Sequence, residues 1–130
     1  MPLYMCNAVR GVISDAAKQK IAADLTDIHC EITGAPRTFV HVFFFEDAPH
    51  LPVNGQSVFL FGSIRAGRSE VQKQDLTNRM QAAVAKHCGL SLQEVVAATS
   101  DVPANWVMEG GEVLPEPGEE ATWLAAHRSV

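Results

Sequence analysis

Residues 10–21 read RGVISDAAKQKI, and residues 65–76 read RAGRSEVQKQDL. They lie 55 residues apart, and Arg10, Ser14, Lys18 and Ile21 fall on Arg65, Ser69, Lys73 and Leu76. Ser14 stands as an N-cap with Asp15 in the first helical turn, where the helix dipole favours a negative charge. Ser69 with Gln72 forms an S-x-x-Q capping box. Both stretches therefore open a helix.

The apolar pattern extends each helix. Ala17, Ile21, Leu25, Ile28 and Ile32 recur at helical spacing, and Gly34 and Pro36 end the run. Leu76, Met80, Ala83 and Val84 carry the second stripe, which Gly89 ends. Before the first helix, residues 2–9 read as a short buried strand. After it, TFVHVFFF (38–45) is so apolar that it reads as a strand buried on both faces. SVFLFGSI (57–64) and EVVAAT (94–99) are the corresponding strands of the second half. With one residue of slippage, Asp47-Ala48-Pro49 also matches Asp101-Val102-Pro103.

The expected fold is α/β, a tandem β-α-β repeat in one domain spanning 1–130. Unit one covers about 2–50, unit two about 57–104, and a tail fills 105–130. Each unit is expected to be a right-handed crossover between parallel strands. The shared sheet is expected to be four-stranded and mixed, with two helices on one face. The tail carries Trp106 and Trp123 and is of a kind that packs on a neighbouring subunit.

A net charge of −5 argues against nonspecific nucleic-acid binding. Cys6, Cys30 and Cys88 show no CxxC spacing, which fits a reducing compartment. With neither a signal-like N-terminus nor an apolar run of membrane-spanning length, the expectation is a soluble, cytoplasmic protein. No metal-ligand spacing is present, and His29-Cys30 and His87-Cys88 cannot each face one ion from adjacent helical positions. No cofactor or metal is expected.

Chemistry is sought where the repeat breaks, because packing alone has no need of a residue its counterpart lacks. Pro2 falls opposite Ser57, His29 opposite Val84, and Arg68 opposite Ile13. Removal of Met1 would leave Pro2 as a terminal secondary amine, able to act as acid or base; otherwise it is a tolerated strand start. Arg65 and Arg68 follow a strand and precede a helix, where two guanidiniums and free N–H groups make an anion site. The alternative is a pair of solvated arginines. His29, at the edge of the apolar stripe, is either a packed structural side chain or a donor to a substrate oxygen. Glu109 sits in WVMEGG, where apolar flanks suit a base, or else it is an exposed loop residue. Glu112, Glu116, Glu119 and Glu120 read as solvated.

Taken together, these residues resemble the tautomerase superfamily, and within it the cis-3-chloroacrylic acid dehalogenase-like subgroup. The likeness runs over roughly residues 2–118. It rests on the MPLYM opening, TDIH ending at His29, RAGRS, DVPA before Glu109, and VLPEPG. The resemblance implies a fused, two-unit relative of 4-oxalocrotonate tautomerase. It implies a homotrimer with sheets facing the centre and helices outside. It also implies Pro2 as the catalytic acid or base and Glu109 as a water activator. Arg65, Arg68 and His29 would hold a small carboxylate substrate. A tyrosine that helps the glutamate does not carry over: counting back from Glu109 places Ala98 there, and Tyr4 is the only tyrosine. The expected activity is thus keto-enol tautomerisation of small enol, 2-oxo or unsaturated acids. The alternatives are a cis-3-haloacrylate dehalogenase or hydratase giving malonate semialdehyde, and a non-catalytic carboxylate-binding trimer.

Overall fold

A computed structural model describes residues 1–127. The expected repeat is present. Strand β1 (Leu3–Ala8) leads into helix α1 (Asp15–Thr33) and strand β2 (His41–Glu46). Strand β3 (Val58–Arg65) leads into helix α2 (Glu70–Cys88) and strand β4 (Val95–Val102). The sheet order is β2-β1-β3-β4. β1 pairs parallel with β2, β3 pairs parallel with β4, and β1 and β3 meet antiparallel at the centre. The sheet is therefore mixed, and the two units join through their first strands.

The helix signals act as read. Ser14 Oγ accepts from Ala17 N at 3.1 Å, and both arms of the Ser69–Gln72 capping box form. Gly34 and Gly89 end the helices in the left-handed conformation. Ile21, Leu25, Leu76 and Val84 have no exposed surface, and they meet Tyr4, Cys6, Leu60 and Ile64 from the sheet. Truncating one such leucine to alanine typically costs about 2–5 kcal/mol.

Two expectations concern surfaces that reach beyond the single chain. Within the single chain β2 is buried on one face only. It is an edge strand, and the helices cover only one side of the sheet. Val42 and Phe44 pack toward the helices, while Phe43 and Phe45 remain 54% and 42% exposed. The strong apolarity of this segment therefore belongs to a surface that is bare in the single chain. The tail, for its part, folds back on its own chain. Met108–Glu109 (β5) and Glu112–Val113 (β6) pair as a hairpin, turning through Gly110 and Gly111 with φ of 59° and 82°. Helix α3 (Glu120–His127) then packs Trp123 edge-on against Phe39, centroids 5.6 Å apart. Trp106 is 72% exposed.

Candidate active site

The topology brings five chain segments to one end of the sheet. β1 and β3 are antiparallel with Leu3 opposite Ser63, so the start of β1 lies beside the end of β3. Pro2 is fully buried at that point, and its carbonyl accepts from His41 N at 2.9 Å. A proline fits here because the position asks for an acceptor and has no need of an N–H. Arg65 is the last residue of β3, and Arg68 follows in the turn that opens α2. The C-terminal part of α1 arrives from above, carrying His29 one turn before the helix end, and the tail closes the remaining side.

Met1 is in place, and its ammonium group marks where a terminal amine meets the site. It donates to Phe39 O at 2.6 Å and forms an ion pair with Glu109. His41 Nε2 lies 3.2 Å from the same carboxylate. Burial lowers the amine's pKa below 8.0, while the hydrogen bond and charge of Glu109 pull it back up. The Met1 side chain packs on Phe39, Val107 and Leu114. An apolar groove of about 280 Å³ opens beside it, lined by Leu3, His41, Phe43, Val107 and Glu109.

The two arginines are buried. Arg65 Nη1 donates to Pro115 O, and its guanidinium lies 5.4 Å from the centroid of Phe39. Arg68 Nη1 donates 3.1 Å to Thr33 O, placing a cation at the C-terminus of α1, where the helix dipole favours it. Each arginine has one arm left over. Among the described residues, Arg65 Nη2 and Arg68 Nη2 are the buried side-chain polar atoms with no hydrogen-bond partner. A buried unpaired N–H is costly, about 1–3 kcal/mol and more when charged. Two together define a place where an anion would be stabilised.

His29 is 2% exposed, well inside rather than at the edge of the stripe. Its Nδ1 lies 2.7 Å from the Tyr4 hydroxyl. Burial, then the charges of Arg68 and Arg65, lowers its pKa to about 3, so the ring is neutral. With Tyr4 donating to Nδ1, Nε2 carries the proton and is the remaining donor. Tyr4 itself is 1% exposed. It lies flat over Gly62, where an added Cβ would come within 2.4 Å of the tyrosine ring. Gly62 is thus the residue that lets Tyr4 reach His29.

The sequence reading missed two participants. Tyr4 carries no role in the sequence reading; the alternation of β1, which sends Tyr4 and Cys6 to the helix side, is the signal that puts it under His29. Glu120 was grouped with solvated glutamates, yet it is 6% exposed, with Oε1 3.6 Å from Arg68 Nη2 and 4.0 Å from Arg65 Nη2. Glu109 ends β5, directly before the turn through Gly110 and Gly111. Ala98 lies mid-strand in β4 opposite Phe61.

Residues 1–128 match the Tautomerase_3 family model, described as an oxalocrotonate tautomerase enzyme family. No curated protein matches the sequence. A solved structure of N1, a member of the cis-3-chloroacrylic acid dehalogenase family, is 32% identical, with a TM-score of 0.86 over 95% of this chain and 90% of that one. The native structure of Ps01740 is 33% identical, with a TM-score of 0.75 over 82% of this chain and 99% of that one. A native fused 4-OT is 25% identical, with a TM-score of 0.73 over 85% and 94%. The family match spans almost the whole repeat and tail, and with it the chain belongs to the Tautomerase_3 family of the tautomerase superfamily.

Proposed function

We propose that this protein is a proline-dependent tautomerase of small enol or 2-oxo acids, active once Met1 is removed. The observation that carries this reading is the pair of buried guanidinium arms without hydrogen-bond partners, Arg65 Nη2 and Arg68 Nη2. A substrate carboxylate supplies the two acceptors they lack, and the arginine fork matches its geometry. His29, neutral and oriented by Tyr4, then donates Nε2–H to a second substrate oxygen.

The Pro2 nitrogen, freed as a secondary amine, is the proton carrier. In ketonisation it takes the enol hydroxyl proton, the enolate collapses to the carbonyl, and the proton is returned to carbon. The cationic clamp stabilises the negative charge that develops between those steps. Glu109, which already meets the terminal amine of Met1, tunes the basicity of that nitrogen.

A second reading has its own observation. The Glu109 carboxylate beside the terminal amine sets a base and an acid side by side. That is what adding water across a 3-haloacrylate double bond needs. Ala98 offers no hydroxyl to help it, so this hydratase or dehalogenase activity is expected to be weak. We further propose a homotrimer that buries the bare sheet face around Phe43 and Phe45.

The test is a proton NMR time course with an aryl enol of pyruvate and with cis-3-chloroacrylate, after intact mass has established loss of Met1. Ketonisation that vanishes in Pro2→Ala, with chloroacrylate untouched, supports the tautomerase. Proline-dependent aldehyde formation from chloroacrylate replaces it with the dehalogenase. No proline-dependent reaction of either kind leaves a carboxylate-binding protein.

A further inference from the structure

Glu120 opens helix α3 with a carboxylate that is almost wholly buried. Its two oxygens accept from the same backbone N–H, that of Gly118, at 2.8 and 3.0 Å. This tether holds the carboxylate back from the arginines. Oε1 reaches 3.6 Å from Arg68 Nη2 and 4.0 Å from Arg65 Nη2, close enough for strong Coulomb attraction but without a hydrogen bond to either. The two guanidinium arms thus keep their donors free while losing part of their charge. A packing role alone has no need of that combination. A carboxylate meant only to fix the arginines would bond them directly.

The consequence is a count of charge inside the site. Arg65 and Arg68 are always cationic. The terminal amine is balanced by Glu109. His29 is neutral. Of the other two carboxylates that act on Arg65, Glu109 is taken up by the amine, and Glu116 is exposed and screened by solvent. Glu120 is buried and is not. One positive charge is left in excess. A ligand with one carboxylate cancels it. A second carboxylate finds no unspent cation and raises the enclosed negative charge.

We propose that Glu120 is a specificity-determining residue that makes this anion site select monocarboxylates over dicarboxylates. The proposal rests on the reading of Arg65 and Arg68 as the carboxylate clamp and says which carboxylates that clamp accepts. Glu120 does not touch the reacting atoms. It acts through the arginines, by setting how much of their charge is available.

Crotonate and fumarate form the test pair, since they share a four-carbon trans-enoic skeleton and differ by one carboxylate, ionised at neutral pH. Titration calorimetry on the full chain, its N-terminus defined by intact mass, gives the ratio of their affinities. The wild type is expected to prefer crotonate. Glu120→Gln removes the charge at constant shape and is expected to move the ratio toward fumarate by at least about tenfold. Glu120→Asp keeps the charge and is expected to keep the preference. Glu120→Ser makes the same charge change should the glutamine variant fail to fold. A wild type that binds fumarate as well as crotonate overturns the proposal. So does an unchanged ratio in a folded, charge-removed variant. Arg68→Gln separates the two levels. If it abolishes crotonate binding while Glu120→Gln leaves the ratio alone, only the charge filter falls. If crotonate binding survives Arg68→Gln, the clamp falls, and the filter with it.

Discussion

The Tyr4 hydroxyl lies 2.7 Å from His29 Nδ1, a buried contact that joins the first strand to a helix position 25 residues later. Tyr4→Phe leaves that nitrogen buried and without its partner. The expected cost is about 1–3 kcal/mol in urea unfolding. Substrate affinity is expected to drop as well, because the ring is no longer held in the tautomer that donates from Nε2. A variant with unchanged stability and unchanged KM would mean the contact orients nothing.

Gly62→Ala attacks the same contact from beneath. The new Cβ would stand 2.4 Å from one carbon of the Tyr4 ring and 2.6 Å from the next. Tyr4 is 1% exposed, and relieving the clash by tilting its ring moves the hydroxyl away from His29. Overpacking of this kind costs about 1–3 kcal/mol. The midpoint of thermal unfolding checks it, and pairing the change with Tyr4→Phe is expected to be less than additive.

His29 also makes stability depend on pH. Its folded pKa is lowered from 6.5 to about 3 by burial and by Arg68 and Arg65. Below pH 6.5 the unfolded chain binds a proton that the folded chain refuses. The contribution is therefore complete above that pH and drains away as pH falls toward 3. The slope approaches about 1.4 kcal/mol per pH unit for one proton. Urea unfolding across this window is expected to be flatter in His29→Gln than in the wild type.

Glu109→Gln tests the tuning of the terminal amine. Burial lowers that amine's pKa and Glu109 raises it. With the carboxylate gone, the lowering is unopposed by Glu109 and the pKa falls further. The pH dependence of amine acylation in the untrimmed chain is the direct readout. A shift upward would mean that Glu109 does not act on the amine as a charge.

Phe45→Asp addresses assembly. The side chain is 42% exposed on the face of the sheet away from the helices. A charge there is expected to lower the mass seen by sedimentation from trimer to single chain while leaving the helical circular dichroism in place. A wild type that sediments as a single chain would remove the proposed trimer.

The repeat was open to reading because its signals are local. A serine cap, an apolar stripe and a left-handed glycine each act within a turn or two, and all three recur in both helices. The site was open in part for the same reason: Arg65, Arg68 and His29 are set by where a strand ends or a helix runs. β2 misled because apolarity records that a side chain leaves water and not what covers it. Phe43 and Phe45 stay exposed in the single chain, on the face the proposed trimer would bury. Glu120 stayed hidden because its burial depends on the whole tail returning across Arg65, a contact between residues 115 and 65 that no local pattern announces.

The antiparallel junction of β1 and β3 gives the two halves unequal prospects. Ser57, which falls opposite Pro2 in the repeat, is tied into the chain interior, its N–H donating 2.8 Å to Glu94 O. No proteolytic trimming of an initiator can ever expose that nitrogen. A chain of two like units therefore offers one terminal amine, and the second unit is released from carrying one. It contributes the arginines instead. On the proposed reading, joining the units end to end converts symmetry into a division of labour, with the proton carrier drawn from one copy and the anion clamp from the other.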